Sequence, residues 1–137
     1  MAEKTRVGIA THNELRERAL QIARGERRRR PNEPKIWFTS LESLAKVLSE
    51  PNRKLLRIID ERRPSSLAKL EVLTGRRASN LSRTLKTMSQ YGLVKLVAGK
   101  RGSVAPEVLL REVQMDLSIV GEAVASGTQM STVVAQP

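Results

Sequence analysis

The pattern of apolar and polar positions from residue 40 to residue 63 predicts two helices in succession. Thr39 and Glu42 have the spacing of a capping box, which opens a helix by exchanging hydrogen bonds between side chains and backbone. Pro51 suits the first turn of the second helix, where a backbone N–H would have no partner, and Pro64 ends that helix. Apolar residues at helical spacing mark the buried sides: Leu41, Leu44, Val47, Leu48, Leu55, Ile58 and Ile59.

Two more short helices are predicted between residues 65 and 90, with a tight turn between them. Ser65 or Ser66 caps the first one, and Gly75 ends it in the left-handed conformation that glycine adopts at little cost. The second one spans roughly residues 79–90. The inward residues of this pair are predicted to be Leu67, Leu70 and Leu73, followed by Leu81, Leu85 and Met88.

A β-hairpin is predicted after these helices, with strands at residues 93–98 and 103–105 and a tip formed by the two glycines around Lys100 and Arg101. Pro106 is expected to limit the returning strand because it cannot donate to a ladder. Residues 108–117 are a candidate third strand. Its apolar side consists of Leu109, Val113, Met115 and Leu117.

The N-terminal part predicts a strand over residues 4–10 and then an amphipathic helix that begins at the capping box of Thr11 and Glu14. The apolar stripe of this helix is Leu15, Ala19 and Ile22, and Gly25 is a stop signal. The arginine run 27–30 indicates a linker, or an arm along a polyanion, and residues 35–39 are expected to be extended.

Two short helices around a glycine-bearing turn, followed by a strand and a basic loop, are typical of a winged helix-turn-helix, which lays one helix in the major groove of DNA. The predicted fold class is therefore mainly α with a small β-hairpin wing (α+β), preceded by a strand-helix extension. Three regions are predicted: 1–38 as extension, basic linker and candidate dimerisation region; 39–117 as the winged domain; and 118–137 as a low-charge, flexible tail.

The chain carries 25 lysines and arginines against 14 acids, a formal net charge of +11, which favours nucleic acid or a membrane surface as partner. There is no cysteine, which excludes disulfides and cysteine-ligated zinc. We expect no membrane partner because no window approaches about 18 apolar residues, and the N-terminus lacks the apolar run of a secretory signal. A cytoplasmic, nucleoid-associated protein without a cofactor is expected.

The helix predicted at 79–90 has the outer face that groove recognition needs. With Leu81, Leu85 and Met88 inward, the opposite face presents Ser79, Arg83, Lys86 and Gln90, flanked by Asn80 and Thr87. Arginine can donate twice to guanine, asparagine can pair twice with adenine, and serine or lysine can bind bases or phosphates. An ordinary solvated face would also be polar, but it would not explain the neighbouring turn and hairpin.

Basic residues around this helix are expected to touch the DNA backbone, with Arg76 and Arg77 in the turn and Lys69 on the preceding helix. Lys100 and Arg101 at the hairpin tip are expected to reach the minor groove or its phosphates. The predicted DNA-binding residues are Ser66, Lys69, Arg76, Arg77, Ser79, Asn80, Ser82, Arg83, Lys86, Lys100 and Arg101.

The stretch LAKLEVLTGRRASNLSRTLKTMSQYGLVKL resembles the winged helix-turn-helix regulators of bacteria and archaea of the MarR and ArsR type. Together with the preceding FTSLESLAKVLSEPNRKLLRIIDE it resembles small predicted prokaryotic regulators that include antitoxins of toxin-antitoxin modules, over residues 37–117. The reading-helix pattern of that family matches from Asn80 onward, and Arg77 replaces its usual small polar residue. The resemblance implies a homodimeric repressor of double-stranded DNA, often acting on its own promoter.

Other functions fit parts of the pattern. An antitoxin would neutralise a cognate toxin by protein binding and autoregulate its operon, with the N-terminal helix and the tail as binding surfaces. Double-stranded RNA could be bound by shape, but Trp37, Phe38 and Tyr91 are too few for reading single strands by stacking. An enzyme or a metal sensor is not expected, because His12 is the single histidine and there is no cysteine.

Overall fold

The computed structural model describes residues 4–28 and 30–120, which form a mixed α+β fold. This confirms the predicted α+β class, whereas residues 121–137 of the predicted tail lie outside the described residues. The described elements are β1 (Lys4–Ile9), α1 (His12–Ala23), β2 (Ile36–Phe38), α2 (Leu41–Val47), α3 (Glu50–Arg62), α4 (Leu67–Thr74), α5 (Ala78–Gln90), β3 (Val94–Ala98), β4 (Val104–Val108) and β5 (Glu112–Met115).

The helices begin at side chains that cap them. At α1 the predicted capping box is confirmed, because the Thr11 hydroxyl accepts from the Glu14 N–H at 3.1 Å and the Glu14 carboxylate accepts from the Thr11 N–H at 2.7 Å. At α2 the predicted box is wrong, because the cap is Ser40, whose hydroxyl accepts from the Ser43 N–H at 3.0 Å. Ser49 and Ser66 cap α3 and α4 in the same way.

The first sheet joins the two ends of the described chain. β1 lies between β2 and β5 and is parallel to both, so that Val7 lies beside Ile36 on one side and Met115 on the other. The third strand predicted within 108–117 thus exists as β5, and its partner is the N-terminal strand. Parallel pairing of β1 with β2 requires a crossover connection, which α1 supplies.

The second sheet is the antiparallel hairpin of β3 and β4. β4 continues through Pro106 to Val108, so the prediction that Pro106 limits the returning strand is wrong. Pro106 lies opposite Leu96, and antiparallel pairs alternate between positions that exchange hydrogen bonds and positions that do not. Pro106 is at a position of the second kind, where the ladder needs no hydrogen bond from its nitrogen. This explains why the strand tolerates the proline.

One apolar core underlies the helices and both sheets. Val7, Ile36 and Phe38 from the N-terminal part belong to the same buried cluster as Leu55 and Leu81, so the core crosses the domain boundary predicted at residue 38. Within the described residues, no helix combines the length and apolar character needed to cross a bilayer.

Leu41 and Leu73, predicted on the buried sides of α2 and α4, are exposed. Leu41 is 43% exposed in the first turn of α2, and Leu73 is 38% exposed in the last turn of α4. Both helices are about two turns long, so residues at their ends project past the core that the central residues cover.

Candidate nucleic-acid interface

Helix α5 is held firmly on one side and open on the other. Leu81, Leu85 and Met88 are at most 1% exposed, which confirms the inward face predicted for this helix. Because these side chains are buried in a close-packed core, α5 cannot roll without disturbing it. The residues exposed on its other side are Ser79, Asn80, Ser82, Arg83, Lys86 and Gln90, and Thr87 is half-buried.

The segment that contains α5 is basic because the chain has no acid between Glu71 and Glu107. This interval spans the end of α4, the turn, α5, β3 and most of β4. Within this interval no carboxylate offsets the positive charges, and an approaching anion is attracted by them. The cations of the interval are Arg76, Arg77, Arg83, Lys86, Lys95, Lys100 and Arg101.

Hydrogen bonds made by Gly75, Glu71 and Thr74 close the turn between α4 and α5. Gly75 has a φ of +77° and its N–H donates to the carbonyl of Glu71 at 2.8 Å, which ends α4 as predicted. Arg77 stands at the N-cap of α5 but supplies no side-chain cap. The carboxylate of Glu71 replaces it by accepting from the Ala78 N–H at 3.0 Å. Thr74 accepts from the Arg76 N–H at 3.1 Å and donates to the carbonyl of Leu70.

Arg76 is engaged inside the protein. Its guanidinium donates to Asn80 at 2.8 Å, to Asn52 at 3.2 Å and to Thr84 at 3.2 Å. Sequence reasoning placed Arg76 and Asn80 at a DNA surface and did not find Asn52 or Thr84. No local pattern signals this cluster, since Asn52 lies on α3 and far from Arg76 in the sequence.

Ser66 and Lys69 lie together at the start of α4. The Ser66 hydroxyl caps the helix by accepting from the Lys69 N–H at 3.2 Å, and the Lys69 side chain is exposed. Lys69 lines an open groove of about 530 Å³ with Arg62 and Arg63, the last residues around the end of α3. These cations extend the basic surface to the side of α4.

The hairpin tip presents Lys100 and Arg101 to solvent at the end of β3. Arg101 adopts a left-handed conformation with a φ of 57°, and the tip is closed by a hydrogen bond from the Gly99 N–H to the Ser103 carbonyl at 2.7 Å. The tip is thus a short, closed turn from which two exposed basic side chains project.

The arginine run is partly tied to the protein. Glu33 accepts from Arg18 on α1 and from Arg27 at 3.4 Å, and the Arg18 guanidinium lies 5.2 Å from the ring centre of Trp37. Burial would raise the pKa of Glu33, but a backbone hydrogen bond from Arg30 and the charges of Arg18 and Arg27 outweigh it and keep this pKa below its ordinary value. Arg27 is therefore already paired, while Arg28 and Arg30 are exposed.

Comparison with known proteins found one family. A family model described as HVO_A0114 matches residues 47–115, from the last residue of α2 through β5. The matched range includes α4, α5, the turn and the hairpin, and the family is one of unknown function. No curated protein matches the chain.

Proposed function

This chain belongs to the HVO_A0114 family, and we propose that it is a sequence-specific regulator of transcription that binds double-stranded DNA. The observation that carries the proposal is the combination on α5 of a fully buried apolar side with an exposed, acid-free polar side. A protein reads a groove with a helix whose orientation is fixed by its core and whose outer side chains can donate to bases.

In this proposal α3, α4, α5 and the hairpin act as a winged helix-turn-helix. α5 enters the major groove, where Arg83 and Lys86 reach base edges and Ser79 reaches a base or a phosphate. Lys100 and Arg101 meet the backbone or the minor groove, which adds affinity that does not depend on sequence. Residence on the nucleoid follows from such binding.

The regulator is proposed to act as a homodimer, with two copies of α5 roughly 34 Å apart on successive turns of DNA. The edge of β5 supports this, because it is unpaired among the described residues and Val113 within it and Leu117 just after it are 37% and 47% exposed. An open strand edge with apolar neighbours is a ready template for a second copy. As in the regulators it resembles, repression of its own promoter is the proposed action.

A fluorescence-anisotropy titration tests the function. The protein should bind its own upstream DNA more tightly than a scrambled duplex at about 150 mM salt, because direct readout adds to the non-specific term. Arg83→Ala should weaken the specific complex by about 1–3 kcal/mol and relax specificity at one position. Arg57→Ala removes the same charge from an exposed position of α3 and serves as the matched control.

Lys100→Ala tests the contribution of the hairpin tip to binding separately from that of α5. It should weaken binding to both duplexes to a similar extent and lower the salt slope by about one. Equal affinity of the wild-type protein for both duplexes, or an Arg83→Ala effect no larger than that of Arg57→Ala, would contradict sequence-specific binding through α5.

An antitoxin role is a second proposal, compatible with the first, and it rests on α1. No side chain of α1 is buried, and Leu20 is 40% exposed, so the helix has apolar surface to offer a protein partner. The product of the adjacent gene should co-purify with the wild-type protein and be lost with Leu20→Asp. Failure of the neighbouring gene product to co-purify would remove this role without touching DNA binding.

A further inference from the structure

Arg76 is the centre of a polar cluster between two helices. Each of its three guanidinium nitrogens donates to a protein oxygen: Nε to Oδ1 of Asn80, one terminal nitrogen to Oδ1 of Asn52, and the other to Oγ1 of Thr84. Asn80 and Thr84 lie on α5, whereas Asn52 lies in the first turn of α3. The planar fork of the guanidinium therefore spans the gap between α3 and α5.

The partners of Arg76 are themselves fixed. The Asn52 amide nitrogen donates to the carbonyls of Lys46 and Val47 at 3.2 and 3.0 Å, at the end of α2. The backbone N–H of Arg76 donates to Thr74 at 3.1 Å. Arg76 is thus held at its backbone by α4 and at its side chain by α3 and α5, and it is half-buried.

We propose that Arg76 is a positioning residue that, together with the apolar core, holds the rotation of α5 against α3, and that it orients Asn80 to donate to guanine. This inference rests on the proposed function, and it assigns Arg76 an internal role in place of the phosphate contact expected from the sequence. A guanidinium that already has three protein acceptors has little of its fork left for a bidentate phosphate contact.

The orientation of Asn80 follows from the chemistry of Arg76. Nε of arginine can only donate, so the atom of Asn80 that faces it is the amide oxygen, and the two hydrogens of Nδ2 are left for the exposed side. Pairing with adenine would need the same oxygen to accept from the base as well. Guanine presents two adjacent acceptors, O6 and N7, in the major groove and suits a group that offers donors alone.

The internal role is tested first without DNA, by a double-mutant cycle in urea. Arg76→Lys keeps the charge but loses the fork, and Asn52→Ala removes one acceptor. Each change should lower the unfolding midpoint, and the double variant should fall by clearly less than the sum because both remove the same contact. Arg77→Lys, an exposed neighbour without a capping bond, is the matched control and should add to Asn52→Ala without coupling. Strict additivity of Arg76→Lys with Asn52→Ala would overturn the positioning role proposed for Arg76.

The second experiment measures binding to the upstream duplex and to scrambled DNA over a range of salt. A positioning role predicts that Asn52→Ala and Arg76→Ala both lose about tenfold in the ratio of specific to scrambled affinity, and that the salt slope of each stays at the wild-type value. A phosphate ligand predicts wild-type specificity for Asn52→Ala and a slope reduced by about one for Arg76→Ala, and this result would overturn the inference. If the wild-type protein shows no preference between the duplexes, the proposed function fails together with the guanine assignment. The double-mutant cycle in urea still tests whether Arg76 links α3 to α5.

A separate binding experiment tests whether Asn80 contacts guanine. Each base pair of the footprint is replaced in turn, and the wild-type protein is compared with Asn80→Ala. The position at which the variant loses its preference should be a G·C pair in the wild-type site. An A·T pair at that position would overturn the orientation inferred for Asn80.

Discussion

The start of α5 depends on a side chain from the preceding helix. Glu71 accepts from the Ala78 N–H at 3.0 Å, and its negative charge lies at the positive end of the α5 dipole. Arg77, at the N-cap position itself, has no acceptor to offer. One carboxylate therefore caps α5 without placing an acid on the exposed face of this helix.

Glu71→Ala should lower the free energy of unfolding by about 1 kcal/mol, because an N–H at the start of α5 loses its partner. Glu71→Gln keeps an acceptor oxygen and should cost less. Urea denaturation measures both, and adding Arg77→Ser to Glu71→Ala should restore part of the loss by supplying a hydroxyl at the N-cap. A midpoint equal to that of the wild type in Glu71→Ala would show that this hydrogen bond does not stabilise the helix.

Between elements, a pair of charges ties the end of the hairpin to α3. Arg111, which immediately precedes β5, donates to both oxygens of Asp60, at 3.1 Å from Nε and 2.8 Å from a terminal nitrogen. The hydrogen bonds from Arg111 lower the pKa of Asp60 below its ordinary value, with the Arg111 charge acting in the same direction. Both side chains remain partly exposed, so this pair contributes modestly to stability.

Acid should weaken this connection in a defined direction. Because the pKa of Asp60 is lower in the folded state, the unfolded chain takes up the proton first as the pH falls. The stabilisation by the pair is complete above the unfolded pKa of about 4 and is lost as the pH falls through the folded value. Unfolding midpoints are measured from pH 7 to pH 3. In Asp60→Asn the midpoint should fall less with decreasing pH than in the wild type, because the pair is already absent. Glu61→Gln, on the same helix, should show the wild-type fall. Identical pH profiles for Asp60→Asn and the wild type would contradict the prediction.

At the scale of the whole molecule, the sheet makes the N-terminal and C-terminal parts one body. β5 pairs with β1 on one side and leaves its other edge unpaired among the described residues. If a second copy adds its β5 antiparallel about Val113, Glu112 lies opposite Gln114. Centring the pair on Gln114 instead would set Glu112 against Asp116, and like charges directly opposite each other are destabilising. The register about Val113 is therefore the one we favour for the proposed dimer.

Val113→Lys should convert the proposed dimer to a monomer, because it places two like charges at the symmetry axis. Gln114→Lys is the matched control, since it lies opposite Glu112 in this register and should leave the dimer intact. Light scattering after size exclusion measures the mass of each variant, and affinity for a two-half-site operator should fall only for Val113→Lys. A wild-type monomer, or a dimer in Val113→Lys, would refute pairing through β5.

Local interactions explain which parts of this protein were predictable from its sequence. The Thr11–Glu14 capping box, the glycine stop after α4 and the inward face of α5 are set by side chains within about four residues of each other. The sequence also predicted which side of α5 is exposed, and hence which of its residues are free to contact a partner. That those residues bind DNA stays a prediction.

How distant segments of the chain meet could be seen only in the folded structure. Periodicity tells which side of a strand is buried but not which strand it pairs with, so the parallel pairing of β5 with β1 could not be read from residues 108–117. The same limit hid the partners of Arg76: a guanidinium in a turn is indistinguishable in sequence from a phosphate ligand until the fold brings Asn52 within 3.2 Å of it. Hydrogen bonds between helices depend on positions in space, and the fold alone supplies these.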